Sequence, residues 1–106
     1  MGGYLVTKYE KELAVVLKAC DAKKAYDFTL IDISNLSSVS DYFIICSGNN
    51  EKQTVAIADE IIDKMSKEGI EIHHKEGYQT GRWILLDYGF VIVHVFHKDE
   101  RKFYDL

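Results

Sequence analysis

The spacing of apolar residues along the chain predicts two main helices. Near the start, apolar side chains recur at steps of three and four residues, with lysines and glutamates between them: Leu5, Tyr9, Leu13, Val16, Leu17 and Cys20. This pattern predicts an amphipathic helix over Tyr4–Ala22. A second helix is predicted to begin after Asn50, because Asn50 followed by Gln53 resembles a capping box. Gly69 is expected at its C-terminal end.

Five short stretches rich in β-forming residues predict strands. They are Phe28–Ile33, Asp41–Cys46, Ile70–His74, Trp83–Asp87 and Val91–Phe96. The second stretch is apolar at consecutive positions, which is typical of a central strand covered on both faces. Because a predicted helix separates it from the third stretch, these two strands are expected to form a parallel crossover.

The last two predicted strands are close enough in sequence to form only an antiparallel hairpin. Gly89 and Phe90 fit the central positions of a type II′ turn, in which the first position favours glycine. The segment 98–106 is predicted to form a short C-terminal helix. Together, these elements predict a single α+β domain over residues 1–106, with a mixed five-stranded sheet covered by two main helices plus the short C-terminal helix.

Composition agrees with one folded domain of 106 residues, since 47% of the residues are hydrophobic and 28% are charged. Acidic residues outnumber basic ones by 17 to 13, and the net charge of −4 argues against direct DNA or RNA binding and fits a basic partner. Apolar runs are far shorter than the roughly 18–20 residues that span a bilayer, so no membrane association is expected. The first residues carry no signal or transit pattern, and a cytoplasmic location is expected.

The spacing of histidines and cysteines predicts no metal site and no cofactor. His73 and His74 are neighbours on a predicted strand, so their side chains point to opposite faces. His94 and His97 also differ in strand parity, and the two cysteines stand at no ligand spacing. The expectation is therefore surface or strand-end histidines and buried, structural thiols.

An enzymatic alternative is a small nucleotide- or phosphate-handling activity. The loop Ser47–Asn50 lies between a predicted strand and a helix start, where backbone N–H groups can bind an anion, and Asp32 or Asp41 would supply a carboxylate. Against this, the loop lacks the glycine and lysine spacing of phosphate-binding loops, and no predicted strand carries alternating carboxylates. A helix-capping turn explains the same residues, so no catalytic residue is predicted.

Aromatic and charged residues concentrate around the last hairpin. Several belong to the residue types most frequent at interface hot spots, and the cluster consists of Glu76, Gly77, Tyr78, Arg82, Trp83, Asp87, Tyr88 and Phe90. Trp83 fits a packed core as well as a binding surface, whereas Phe90 at the tip of a two-residue turn is difficult to bury within its own hairpin. A partner-binding surface is the resulting hypothesis.

Linked motifs run through nearly the whole chain in a specific order. They are Asp41-Tyr-Phe-Ile-Ile-Cys-Ser-Gly48, Gln53, Ala56-Ile-Ala-Asp59, Glu76-Gly77, Trp83-Ile-Leu-Leu-Asp-Tyr-Gly89, Val91-Ile-Val-His-Val-Phe96 and Arg101-x-x-Tyr104. In these motifs the chain resembles the ribosomal silencing factor family (RsfS, Iojap, YbeB). The resemblance implies a non-enzymatic protein that binds ribosomal protein fourteen of the large subunit, where the small subunit docks. It also implies that this binding blocks subunit joining when nutrients are scarce.

The resemblance further implies site residues. Trp83 and Tyr88 correspond to family residues of the partner contact, and Glu76 and Asp87 are neighbouring acids that can meet basic groups. Strand parity places Trp83 and Tyr88 on opposite faces of an undistorted strand, so a shared contact requires the hairpin to twist or Tyr88 to belong to the turn. The family pattern has Asp where this chain has Phe90, a change expected to alter the partner contact or to favour a homodimer.

Overall fold

A computed structural model of the protein describes residues 9–104. Its elements are α1 Glu10–Ala22, β1 Tyr26–Asp32, β2 Tyr42–Gly48, α2 Glu51–Lys67, β3 His74–Glu76, β4 Trp83–Asp87, β5 Val91–His97 and α3 Lys98–Tyr104. The predicted helix start at Tyr4 lies outside the described residues, and Tyr9 lies in a turn before α1. Within residues 9–104, no helix is both long enough and apolar enough to cross a membrane.

The five strands form one mixed sheet in the order β1-β2-β5-β4-β3. β2 and β5 are parallel, and the other three neighbouring pairs are antiparallel. α1 and α2 pack on one face of the sheet, and the short α3 follows β5 directly. The predicted α+β architecture, with a mixed five-stranded sheet, two main helices and a short C-terminal helix, is confirmed.

The second helix begins and ends where its caps were predicted. The side-chain oxygen of Asn50 accepts the N–H of Gln53 at 2.8 Å, and the side-chain oxygen of Gln53 accepts the N–H of Asn49 at 2.6 Å. These bonds satisfy amide groups that have no partner within the helix. Gly69 follows the helix with φ +81, a left-handed conformation that glycine adopts without steric strain.

Two predictions about the third strand need correction. The strand comprises His74–Glu76 rather than Ile70–His74. The N–H of Ile70 bonds to the carbonyl oxygen of Met65 at 2.9 Å, so Ile70 still belongs to the turn that ends α2. The crossover from β2 also yields no parallel pair with β3. β3 is an edge strand three places away, and the parallel neighbour of β2 is β5.

The β4–β5 hairpin has the predicted two-residue turn. The N–H of Tyr88 bonds to the carbonyl oxygen of Val91 at 3.0 Å, which leaves Gly89 and Phe90 as the central residues. Gly89 has φ +87, as the first central position of a type II′ turn requires. The carboxylate of Asp87 accepts the N–H of Gly89 at 2.8 Å and holds the turn against the end of β4.

The core lies between the sheet and the helices α1 and α2. Alternating strand residues and the inner faces of both helices supply its buried side chains, among them Ile44, Cys46, Ile84, Leu86, Val91, Val93, Val95, Val16, Ile57, Ile61 and Met65. Cys20 and Cys46 are free, buried thiols in this core, as predicted. Burying one such aliphatic side chain contributes about 1.5–3 kcal/mol. The helix-covered face therefore carries most of the stabilising burial.

Candidate partner-binding surface

The sheet face opposite α1 and α2, called the open face here, carries rows of side chains that run across the strands. In strand order β1 to β3, the first row consists of Ile31, Phe43, Ile92, Asp87 and His74, and the second of Thr29, Ile45, His94, Leu85 and Glu76. A third row consists of Ser47, Phe96 and Trp83. α3 packs on β5 and β2, and the Arg101 side chain bonds to Ser47 in the third row. In the described part of the chain, no helix covers most side chains of the first two rows.

Trp83 is a large aromatic side chain on the open face, and 39% of its surface is exposed. Its ring stacks on Phe96 with the ring centroids 4.9 Å apart, and its indole N–H donates to Nδ1 of His94 at 3.1 Å. Phe43 contacts the His94 ring edge-on, with the centroids 4.9 Å apart. Because these contacts hold the indole in one orientation, a partner that packs on Trp83 loses little side-chain entropy on binding.

His94 lies beneath these aromatic side chains and is almost completely buried. Burial lowers the pKa of His94, which favours the neutral ring at pH 7. Since Nδ1 accepts the indole proton of Trp83, the ring proton of neutral His94 is assigned to Nε2. Nε2 is buried and has no hydrogen-bond partner among the described residues. An unpaired buried donor costs about 1–3 kcal/mol of stability, so this position is not optimised for folding alone.

The two acids predicted at the site also lie on the open face. Asp87 is half-buried and bonded to the turn, and Glu76 is exposed on the edge strand β3. The Glu76 carboxylate lies 2.7 Å from Nε2 of His74. Trp83, Glu76 and Asp87 thus share one face although they come from two strands. This arrangement can hold an apolar group against the indole and basic groups near the β3 edge.

The structure places Tyr88 on the opposite side of the sheet from Trp83, which corrects the expectation of a shared contact surface. Tyr88 is only 3% exposed and packs in the core beneath the helices. This burial raises the pKa of the Tyr88 phenol to about 12. The cause is simple alternation along β4, in which Ile84 and Leu86 face the helices and Tyr88 continues the same series. The twist of the hairpin does not bring Tyr88 to the open face.

Phe90 also lies away from the open face. Its half-buried ring packs against the helix-covered core and stacks on Tyr9, with the ring centroids 4.4 Å apart. As expected, the hairpin alone does not bury Phe90, and the residue before α1 supplies the ring on which it stacks. Where the family resemblance implies Asp, Phe90 thus contributes to packing within this chain.

The residues of the alternative phosphate-handling site do not converge. The last residue of the loop Ser47–Asn50 caps α2, and Asn49 accepts the hydroxyl proton of Tyr26 at 2.9 Å. Asp32 and Asp41 lie at the other end of β2, about 20 Å from the loop at about 3.3 Å per strand residue. The prediction that this loop and either aspartate form one site is therefore wrong. Within residues 9–104, no three His, Cys, Asp or Glu side chains are grouped so as to hold a metal ion.

Three residues that pack around Trp83 on the open face were not predicted as site residues: His94, Phe96 and Phe43. His94 was expected to be an ordinary strand-end histidine, and Phe43 lies in a stretch expected to be covered on both faces. The signal for His94 is its alternation with Val93 and Val95, which puts it on the face that the core valines do not use. Phe43 carries no comparable signal, because all its neighbours in the strand are apolar.

Residues 6–106 match the family model described as "Ribosomal silencing factor during starvation". The chain is 49% identical over 94 residues to the ribosomal silencing factor RsfS of Bacillus subtilis, across 89% of this chain and 80% of that protein. A crystal structure from Bacillus halodurans superposes with a TM-score of 0.84 at 45% identity, covering 92% of this chain and 90% of the other. An X-ray crystal structure of a protein from Chromobacterium violaceum gives 0.89 at 29% identity, covering 93% and 82%.

These matches extend over most of the chain and agree with the motif order and with the fold. The family model alone takes in all of the described residues. The chain belongs to the ribosomal silencing factor family, RsfS.

Proposed function

We propose that the protein binds ribosomal protein fourteen of the large ribosomal subunit through its open face and thereby blocks joining of the subunits. Membership of the RsfS family supports a ribosome-associated silencing role and implies association with the large subunit. The observation that carries the finer proposal is the indole of Trp83, held in place on a sheet face that α1 and α2 do not cover. The proposed repression operates under starvation.

Trp83 is the proposed anchor of the contact. Tryptophan is enriched at hot spots because it buries a large rigid area and keeps one polar group. Phe96 and His94 contact the indole on the open face. Ile31 is another exposed large hydrophobic residue of this face, on β1, three strands away.

Charge complementarity supports a basic partner. The chain has a net charge of −4, and Glu76 and Asp87 lie on the same face as Trp83. Acids around an apolar contact raise the rate of association with a basic surface more than they raise the final affinity. Ribosomal protein fourteen, which is proposed here as the partner, is expected to present such basic groups.

The proposed mechanism is steric exclusion, with no chemical step. The domain measures 33 × 31 × 28 Å, so it cannot fit between two surfaces that must touch each other. One bound copy then silences one large subunit, and no cofactor or catalytic residue takes part. RsfS is a family of silencing factors and not a known enzyme family. The proposed action on ribosomes agrees with the expected cytoplasmic location.

The experiment is sedimentation of separated subunits that are remixed with the wild-type protein, Trp83→Ala, or Leu36→Ala. Leu36 is 86% exposed in the β1–β2 connection, so Leu36→Ala removes a large apolar side chain away from the open face. A hot-spot truncation costs about 2 kcal/mol or more, which is roughly 30-fold in affinity. We expect Trp83→Ala to lose co-migration and to restore joined ribosomes, and Leu36→Ala to act like wild type. Full binding by folded Trp83→Ala would remove the open face from the proposal.

A homodimer stays a prediction. It was based on apolar positions of the hairpin and on Phe90, and the ring of Phe90 stacks on Tyr9 of its own chain. Sedimentation velocity of the free protein over a range of concentrations tests it directly.

A further inference from the structure

A second concave surface lies on the β1 side of α3. It is a cleft of about 470 Å³ between the start of β1, the end of β2 and α3. β4, which carries Trp83, is three strands away from β1 in the sheet. At about 4.8 Å per strand this separation is about 14 Å. The cleft meets the third row of the open face at Ser47, but its β1 residues lie well apart from Trp83.

Three cationic side chains line this cleft. Lys98, Arg101 and Lys102 stand at positions i, i+3 and i+4 of α3, a spacing that puts them on one side of the helix. The only acid among the lining residues is Asp27. The cleft lining therefore carries an excess of two positive charges in a chain whose net charge is −4. A concave surface of one sign concentrates ions of the opposite sign.

Arg101 builds the floor of the cleft. Its guanidinium donates to the hydroxyl of Ser47 at 2.9 Å and to the hydroxyl of Thr29 at 3.2 Å, and it also donates to the backbone carbonyl of Asp27. Ser47 is only 1% exposed, so one end of this network is anchored in the protein interior. The bonds tie α3 to both β1 and β2 and so position the helix that carries Lys98 and Lys102 at the cleft.

Lys98 and Lys102 are exposed side chains at the cleft. Among the described residues, neither ammonium group has an ion pair or a hydrogen bond, whereas Lys64 and Lys67 on α2 pair with Glu60 and Asp63. Their side chains lie one helical turn apart, so both can reach the same anion. Two unpaired cations beside a built floor are suited to bind an external ligand.

We propose that this cleft binds the phosphate group of a phosphate ester, with Lys98 and Lys102 as direct contacts and Arg101 as the positioning residue of its floor. A phosphomonoester carries up to two negative charges and three acceptor oxygens, and a run of backbone phosphodiesters presents one charge per phosphate, so both can engage two ammonium groups one helical turn apart. The cleft also exceeds the size of a bare phosphate ion and lies in the range of small-ligand sites.

Two sources can supply this group, a mononucleotide or the backbone of a single-stranded RNA, and titration calorimetry at low salt distinguishes them. The probes are adenosine monophosphate, adenosine without phosphate, and a short single-stranded oligoadenylate. The test variant carries Lys98→Gln and Lys102→Gln. The control carries Lys64→Gln and Lys67→Gln, which change the net charge equally but lie on α2. Thermal unfolding confirms that both variants are folded.

For a mononucleotide site, we expect wild type to bind adenosine monophosphate, the test variant to bind it at least about tenfold more weakly, and the control to bind it like wild type. For an RNA site, only the oligonucleotide binds, and the test variant lowers the salt slope of its affinity by about 1.4, for two lost phosphate contacts. Equal binding of adenosine, an equal loss in the control, or no binding of either phosphate probe would overturn the proposal. None of these outcomes depends on ribosome binding.

Discussion

The hydrogen bond between Trp83 and His94 joins the proposed anchor to the sheet, and Trp83→Phe tests what that bond contributes. Phenylalanine keeps an aromatic ring over Phe96 but removes the indole N–H that His94 Nδ1 accepts at 3.1 Å. A neutral hydrogen bond contributes about 0.5–1.5 kcal/mol, and leaving a buried acceptor unpaired costs about 1–3 kcal/mol. We expect Trp83→Phe to lower the free energy of unfolding by about 1–3 kcal/mol. For a domain of this length, each kcal/mol lowers the melting temperature by roughly 4–8 °C.

A double-mutant cycle separates this bond from other effects of the substitution. The cycle consists of Trp83→Phe, His94→Leu and the double variant, with urea unfolding at neutral pH followed by circular dichroism. His94→Leu also removes the unpaired Nε2, so its own cost is expected to be smaller than that of Trp83→Phe. A coupling free energy near 1 kcal/mol would support the bond, whereas effects that add within about 0.3 kcal/mol would refute the reasoning.

Three further predictions concern buried and half-buried rings. Because the pKa of His94 is lowered, the unfolded chain binds more protons than the folded protein once the pH falls below about 6.5. The free energy of unfolding, measured with urea at a series of pH values, should therefore fall more for wild type than for His94→Asn as the pH drops below about 6.5, because asparagine has no group that titrates in this range. An equal pH dependence of the two proteins would contradict this prediction. Tyr88→Phe removes a buried hydroxyl that has no partner among the described residues, so urea unfolding should show no loss, or a gain of up to about 1 kcal/mol. Phe90→Asp introduces the residue that the family resemblance implies at this position and breaks the stack on Tyr9. We expect a loss of about 1–2 kcal/mol in thermal unfolding with unchanged subunit binding, and the reverse pattern would contradict the placement of Phe90.

The fold could be predicted from the sequence where local signals are strong. The Asn50 and Gln53 pair determines the start of α2, and Gly89 determines the hairpin turn, because both act through backbone groups within a few residues. β3 was misplaced because Ile70 is apolar and β-branched, yet its amide closes the end of α2. The partner of β2 was also missed. Which strand lies beside β2 depends on long-range packing, and a local sequence pattern contains no information about it.

The sequence indicated residues of the candidate site but not which face of the sheet the helices leave uncovered. Strand parity correctly separated Trp83 from Tyr88. Parity does not say which of the two faces the helices cover, and the family resemblance pointed to both residues. The packing of Phe90 was not predicted for a related reason, since its stacking partner Tyr9 is 81 positions earlier in the chain. Contacts over such separations follow from the assembled fold and not from the spacing of neighbours.

The strand β5 links stability to the proposed recognition. Val93 and Val95 point from it into the core, and His94 between them points to the open face and accepts the indole proton of Trp83. β5 is also the central strand, with β2 and β4 bonded on either side. A side chain bonded to such a strand is held by the whole sheet, so the indole needs no rearrangement to meet a partner. The proposed steric exclusion requires only that the protein bind at the right position. β5 holds the indole of Trp83 in place for this contact, so no conformational change is needed.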